Sequence, residues 1–290
     1  LTVVLATFNY RRRRIDRGAV ARVGITLAVL ECIGFALLVH HQLDFVAEVS
    51  VLGSMFSGAA LWASKFALMY AGLEPFVRRR WPERLISWLR LVGGKLRDPM
   101  IGRDLLIGIA AGVAHALLAT LSGVLPAKLG IAQMGLPRTF QVPALDGVAS
   151  ALGAVIALLN EATLVALVMM VLLVAMTVIF RRRRLAIFGL FAIQMVGFAA
   201  AARGNVPVLI SGVLISLIYS VVIVRVGFLA VLALQFAFNL VFTMPLPVEP
   251  AGWVFAASFV PVLVLAAMTA YAFITSLGGQ PALTFSLLDD

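Results

Sequence analysis

Of the 290 residues, 62% are hydrophobic and 12% are charged, and the net charge is +10. Soluble domains are roughly 45–50% apolar and about 25% charged, so this composition excludes an ordinary water-soluble fold. Apolar blocks of about 20 residues fit a hydrocarbon layer of roughly 30 Å as helices, and the sequence lacks the strict alternation of membrane β-strands. The composition therefore predicts an all-α polytopic transmembrane bundle, whose positive charge indicates membrane topology and lipid contact rather than nucleic-acid binding.

The chain contains nine apolar segments, of which the first, at residues 1–9, is too short to cross a bilayer. We interpret it as the end of a truncated transmembrane helix. Eight full spans are predicted at 20–40, 50–76, 105–125, 162–180, 185–202, 206–224, 226–244 and 252–277. The resulting units are the truncated helix, two helices with a basic loop (10–76), a basic linker (77–104), the main bundle (105–277) and a tail (278–290).

The 23 Lys and Arg residues are distributed very unevenly between the predicted loops. With strictly alternating spans, 19 of them lie on one face, while the opposite face has only Lys128, Arg138 and Arg203. Loops rich in Lys and Arg remain in the cytoplasm. The charge pattern therefore predicts that the arginine-rich loops and the C-terminus are cytoplasmic.

The stretch 126–161 does not fit a simple span. Its first part contains Pro126, Pro137 and Pro143, which indicate a non-cytoplasmic loop. Residues 147–159 are apolar but short, so we expect a re-entrant or interfacial helix that leads into the span at 162–180. Two additional spans in this stretch would preserve the charge distribution, and that alternative stays open.

The basic linker carries aromatic and aliphatic residues at helical spacing. Trp81, Leu85, Trp88 and Val92 recur in this way, with arginines between them, which predicts a basic amphipathic helix lying on the inner leaflet. The alternative is a solvated linker. The predicted contacts with the inner leaflet are Arg78, Arg79, Arg80, Trp81, Arg84, Trp88 and Arg90.

Three ionisable residues stand out deep inside the predicted spans, where such groups are costly and often functional. Glu31, Lys65 and His115 are each 11 or 12 residues from the cytoplasmic boundary, which places them at a depth of roughly 16–18 Å. They are a candidate intramembrane polar cluster, in which a Glu31–Lys65 ion pair with His115 nearby would form a proton or ligand site. The alternative interpretation is a buried pair that only fixes helix packing.

Gly108 and Gly112 form a GxxxG pattern, the spacing that lets two membrane helices approach closely, so we expect them at a helix–helix contact. The sequence has no nucleotide-binding loop, zinc-binding HExxH or GxSxG nucleophile motif, and Cys32 is the only cysteine. No catalytic, cofactor-binding or metal-binding residue is therefore predicted.

Two strings resemble the C-terminal multi-pass membrane region of bacterial membrane-bound serine/threonine protein kinases. They are LEPFVRRRWPERLISWLRLVGGKLRDPMIGRD at 73–104 and AYAFITSLGGQPALTFSLLDD at 270–290. The resemblance implies a location in the bacterial inner membrane and an upstream kinase domain that is absent from this chain. Only that kinase domain would use ATP and Mg. The implied function is membrane anchoring and signal relay, without catalysis by this fragment.

The expected partners are the lipid bilayer, its anionic inner-leaflet lipids and the upstream kinase domain, and a homodimer stays open. An alternative function is a transporter or small-ligand-binding bundle that uses Glu31, Lys65 and His115. No convincing repeat relates the two halves of the chain, although inverted repeats are typical of transporters.

Overall fold

The computed structural model describes residues 17–39, 41, 44–130, 142–202, 205–245 and 255–280. The predicted truncated helix at 1–9 lies outside these ranges, as does most of the C-terminal tail. All the long elements in the described ranges are α-helices, which confirms the predicted helical bundle.

The described part of the chain contains nine α-helices, numbered here in chain order. They are α1 (Arg17–Leu38), α2 (Phe45–Arg80), α3 (Ile86–Val92), α4 (Pro99–Lys128), α5 (Val148–Phe180), α6 (Arg183–Ala202), α7 (Val206–Arg225), α8 (Phe228–Phe242) and α9 (Phe255–Ser276). Seven of them are long and apolar enough to cross a membrane, and α8 is a shorter apolar helix of 15 residues. The seven long helices and α8 correspond one for one to the eight predicted spans.

Polar side chains fix the first turns of several helices. Asp44 accepts hydrogen bonds from the backbone N–H groups of Val46 (2.7 Å) and Ala47 (3.1 Å) at the start of α2. Asp98 does the same for Met100 (3.0 Å) at the start of α4. Such N-caps satisfy backbone donors that have no partner within the helix. Because of the Asp98 cap, α4 begins six residues before the predicted boundary at 105.

Helix α8 lies at the centre of the bundle and is enclosed by α4, α5, α7 and α9. Twelve of its 15 residues are buried, including Gln235 and Asn239. Its polar residues Gln235 and Asn239 have hydrogen-bond partners in this central position, which lipid could not supply.

Glycines allow the closest helix crossings. A Cβ atom added to Gly108 would lie 2.4 Å from the carbonyl oxygen of Ala230, and one added to Gly112 would lie 2.3 Å from that of Leu234. Both glycines therefore lie at the crossing of α4 and α8. Small residues allow this backbone approach in membrane helices, where packing rather than the hydrophobic effect drives association.

Residues 147–159 do not form a separate re-entrant or interfacial helix. Helix α5 runs without interruption from Val148 to Phe180, and its 33 residues correspond to about 50 Å. This length exceeds a hydrocarbon layer of roughly 30 Å, so the helix is long enough to cross and to extend beyond the layer. The expectation of a separate re-entrant or interfacial helix at 147–159 was wrong, because the helix continues through Asn160 and Glu161 into the predicted span.

Several arginine loops meet at one end of the bundle, as their charge distribution predicts. The Arg84 guanidinium donates a hydrogen bond to the carbonyl oxygen of Arg225 (2.6 Å). The Arg183 guanidinium lies 4.4 Å from the centre of the Trp81 ring. The Tyr271 hydroxyl donates to the Leu96 carbonyl oxygen (2.5 Å). We call this region the arginine-rich end, made of residues 78–98, 181–184, 225–227 and 271–277.

Candidate functional site

The predicted amphipathic helix of the linker is only seven residues long and packs on the protein itself. A 3₁₀ turn at Pro82–Arg84 precedes α3. The side chains of Trp81 and Trp88 are 3% and 8% exposed, and the Trp88 ring contacts the edge of Phe228 at 4.9 Å. The two rings therefore pack on the protein and not on an open helix face, and their contact with the inner leaflet stays a prediction. Helical spacing identifies an apolar face, but it does not distinguish a protein partner from lipid.

Arg78 and Arg90, two of the arginines predicted to contact lipid, form ion pairs within the protein. Arg90 pairs with Asp98 (2.6 Å), and Arg78 pairs with buried Glu74 (2.7 Å) while remaining half exposed. Arg80 is exposed, and the Arg79 side chain lies outside the described residues. The first pair joins α3 to the N-cap of α4, the second lies within α2, and both leave part of the arginine charge at the surface.

Arg84 is the most enclosed of these arginines, with a side chain that is 13% exposed. Burial lowers the pKa of Arg84. The positive charges of Arg183 and Arg225 lower it further, whereas the carboxylates of Glu83 and Asp104 raise it. Three arginines from separate loops thus act on one another at the arginine-rich end. The hydrogen bond from Arg84 to the Arg225 carbonyl joins the linker to the turn between α7 and α8.

Glu31 and Lys65 do not form the predicted ion pair. The Glu31 carboxylate accepts a hydrogen bond from the Asn160 amide (2.5 Å) on α5. The Lys65 ammonium lies 3.3 Å from the centre of the Trp62 ring, in a cation–π contact on its own helix. Between these two described side chains there is no ion pair within 4.0 Å.

Close packing of α1 on α5 explains the partner of Glu31. A Cβ atom on Gly153 would lie 2.8 Å from the carbonyl oxygen of Gly34, so the two backbones nearly touch. Glu31 is about one turn from Gly34, and Asn160 is two turns from Gly153 on the antiparallel helix. Asn160 is 1% exposed, so its amide supplies a donor to Glu31 inside the bundle.

His115 belongs to a different site. Its imidazole stacks on Phe238 with centres 3.7 Å apart and meets the edge of Tyr219 at 5.5 Å. The residue is 7% exposed and lies on α4, facing α7 and α8. His115 therefore lies apart from the other two residues, whereas the charge of Glu31 still acts on Lys65 without a direct ion pair.

A chain of polar side chains extends from the His115 site. The Tyr219 hydroxyl donates a short hydrogen bond to the Gln235 amide oxygen, and the Gln235 amide nitrogen donates to Asn239 (2.9 Å). The Gln194 amide nitrogen donates to the Ser220 hydroxyl (3.1 Å) nearby. A cavity of about 410 Å³ adjoins this chain, and its walls include His115, Gln194, Phe198, Tyr219, Gln235 and Phe238. Amide and phenol groups beside aromatic rings can hold a small polar molecule.

Sequence analysis missed Glu161. This exposed carboxyl lies on α5, on the helix face of Val165, Met169 and Leu172, which line the His115 cavity. A charged residue inside a long apolar run was the available signal. Glu161 lies one residue before the predicted span at 162–180 and was therefore not counted among the intramembrane residues.

A second, larger cavity of about 680 Å³ lies near the arginine-rich end. Its walls come from α1, α3, α4, α5, α8 and α9 and include Arg22, Thr26, Leu30, Trp88, Phe236 and Tyr271. Within the described residues, no group of three His, Cys, Asp or Glu side chains could hold a metal ion in either cavity.

Comparisons with protein-family models, curated proteins and solved structures give no match to this chain. The resemblance of residues 73–104 and 270–290 to the kinase membrane region therefore stays a prediction.

Proposed function

We propose that the chain is the membrane-anchoring and signal-relay domain of a receptor-like bacterial serine/threonine protein kinase, with its arginine-rich end in the cytoplasm. The observation that carries this proposal is the packing of the linker 81–98 into the arginine-rich end of the bundle. The domain itself performs no catalysis. The resemblance and the one-sided arginine distribution both support the proposal.

Contacts with several helices make the linker responsive to their arrangement. Trp88 packs on Phe228 at the start of α8, and Arg84 holds the turn before it. Tyr271 of α9 holds the Leu96 carbonyl group at the other end of the linker. Packed elements move as units, so a shift of α8 or α9 would move the linker and any soluble domain in contact with it.

Gly227 offers a direct test of this coupling. A Cβ atom at Gly227 would lie 2.5 Å from the Arg84 carbonyl oxygen, and the φ angle of +138° already disfavours other residues. Gly227→Ala should displace the linker, whereas Gly58→Ala in α2 meets nothing within 4 Å. In the full-length kinase, we expect Gly227→Ala to change autophosphorylation without loss from the membrane.

The matched Gly58→Ala variant should leave autophosphorylation unchanged. Removal of the whole membrane region should release the kinase from the membrane and abolish regulation. If that removal leaves both location and autophosphorylation unchanged, the relay proposal fails.

The His115 cavity favours a second candidate, a small-ligand-binding or transport bundle. Its polar chain from Tyr219 to Asn239 lies inside the helices and adjoins about 410 Å³ of space. Such groups are typical of proton and solute pathways. In liposomes containing a pH-sensitive dye, the protein should then collapse a pH gradient faster than empty liposomes do, and Gln235→Leu should slow this. A rate equal to that of empty liposomes would exclude proton transport.

A further inference from the structure

The larger cavity has the depth of one membrane leaflet. On α1 its wall runs from Arg22 to Leu30, and on α8 it runs from Leu229 to Phe236. At about 1.5 Å per residue these stretches measure about 12 Å and 10 Å. Half of a hydrocarbon layer of roughly 30 Å is about 15 Å. The cavity therefore begins at the charged boundary and ends inside the same leaflet.

The inner wall of this cavity is almost entirely hydrocarbon. Apart from the threonines, the side chains beyond the boundary are aliphatic, aromatic or the thioether of Met268. The hydroxyl of Thr163 already donates to the Leu159 carbonyl oxygen (2.8 Å). A space of about 680 Å³ with such walls offers water few partners and suits an apolar chain.

The cavity is also accessible from the outside of the bundle. Ile25 in its wall is 64% exposed, and Tyr271 in the wall formed by α9 is 37% exposed. Molecules of the bilayer that surround these helices can therefore enter it sideways, without crossing an aqueous phase.

The boundary end of the cavity is positively charged. Arg22 lies in the wall there, and in the described part of the chain its guanidinium has no carboxylate within 4.0 Å. Lys95 and Arg97 flank Leu96, another wall residue, and both are exposed. Each Lys or Arg near an anionic membrane surface contributes about 1 kcal/mol of attraction.

We propose that this cavity binds one anionic phospholipid of the surrounding membrane. One acyl chain occupies the space between α1, α8 and α9, and the phosphate group contacts the Arg22 guanidinium. This differs from general attraction of the arginine-rich end to a charged surface, because it fixes one lipid between named helices. The site does not depend on the relay function, since an inert anchor would bind the same lipid.

The test uses the full chain in detergent with equal amounts of phosphatidylglycerol and phosphatidylcholine, and native mass spectrometry counts the retained lipids. Thr26→Trp fills the cavity from an exposed wall position on α1. Val29→Trp is its matched control, because Val29 is 51% exposed on the same helix and is not in the cavity wall. Met268→Trp fills the cavity from α9, in case the first variant disturbs α1.

We expect the wild type and Val29→Trp to retain one phosphatidylglycerol, and both cavity-filling variants to lose at least about 90% of it. Arg22→Gln should weaken retention of phosphatidylglycerol about fivefold, which corresponds to about 1 kcal/mol, and leave phosphatidylcholine unchanged. Arg182→Gln removes one charge from the same end of the bundle, away from the cavity, and should have no effect.

Two results would overturn the proposal. The first is equal retention of phosphatidylglycerol by the cavity-filling variants and Val29→Trp. The second is a wild type that retains the two lipids equally, which would mean that Arg22 does not select the headgroup. Neither result bears on the autophosphorylation test of the relay.

Discussion

The crossing of α4 and α8 leaves no room for a side chain at Gly112. An added Cβ atom would lie 2.3 Å from the Leu234 carbonyl oxygen and 2.9 Å from the Ala237 Cβ atom. Ordinary contact begins at 3.4 Å, so the first distance is too short by 3.4 − 2.3 = 1.1 Å. Because the nearest atom belongs to a helix backbone, Gly112→Ala must push the two helices apart.

Overpacking of this kind costs about 1–3 kcal/mol, and an obstacle in the backbone favours the upper part of that range. In chains of about 150–250 residues, a loss of 1 kcal/mol in the free energy of unfolding lowers the thermal unfolding midpoint by about 2–4 °C. A loss of about 2–3 kcal/mol should therefore lower the unfolding midpoint of Gly112→Ala by about 4–12 °C. The assay heats the purified chain in one detergent and follows the monodisperse peak in size-exclusion chromatography.

Gly123→Ala is the matched control, because Gly123 lies on the same helix with nothing within 4 Å of an added Cβ atom. Alanine is the better helix former by about 0.5–1 kcal/mol, so this variant should unfold at the same temperature or slightly higher. A Gly112→Ala protein that is as stable as Gly123→Ala would refute the close crossing of α4 and α8.

Three further outcomes follow from the polar contacts. Tyr219→Phe removes the donor to Gln235 and should cost about 1–2 kcal/mol in the same thermal assay, and an unchanged midpoint would contradict the hydrogen bond. Asn160→Ala removes the donor to Glu31 and should cost about 1–3 kcal/mol, whereas an additional Glu31→Gln change should recover part of that loss by removing the charge. The hydrogen bond that the His41 ring donates to the Glu48 carboxylate, the Ala36 carbonyl group and the charge of Glu48 raise the pKa of His41 above 6.5. Their stabilisation of the loop is therefore complete below pH 6.5 and is lost as the pH rises through the raised value. Glu48→Gln should move the pKa of His41 back toward 6.5 in an NMR titration of the ring, and an unchanged value would contradict the pairing.

The number and order of the spans could be predicted from the sequence because long apolar runs and arginine loops are strong local signals. The exact length of α5 could not be predicted, because the apolar run at 147–159 is too short to span and the polar pair Asn160–Glu161 separates it from the run at 162–180. In the folded chain, Asn160 is buried and bonded to Glu31 on another helix. The contact between Asn160 and Glu31 depends on how α1 packs against α5, which no local pattern describes.

The candidate site shows the same limit. The depths of Glu31, Lys65 and His115 could be counted along the sequence, but the rotation of each helix could not. Rotation decides that Lys65 meets Trp62 and that His115 meets Phe238. Similarly, the spacing of Trp81 and Trp88 defines an apolar face without saying whether lipid or protein covers it.

The side of the membrane that holds the arginine-rich end tests the relay account most directly. In a Cys32→Ser background, single cysteines are placed by Arg182→Cys, between α5 and α6, and by Asp146→Cys, just before α5. Intact bacteria are treated with a membrane-impermeant maleimide before and after permeabilisation. The account predicts that the cysteine at 146 reacts in intact cells and that the cysteine at 182 reacts only after permeabilisation. The reverse pattern would place the linker outside the cell and contradict a relay to a cytoplasmic kinase.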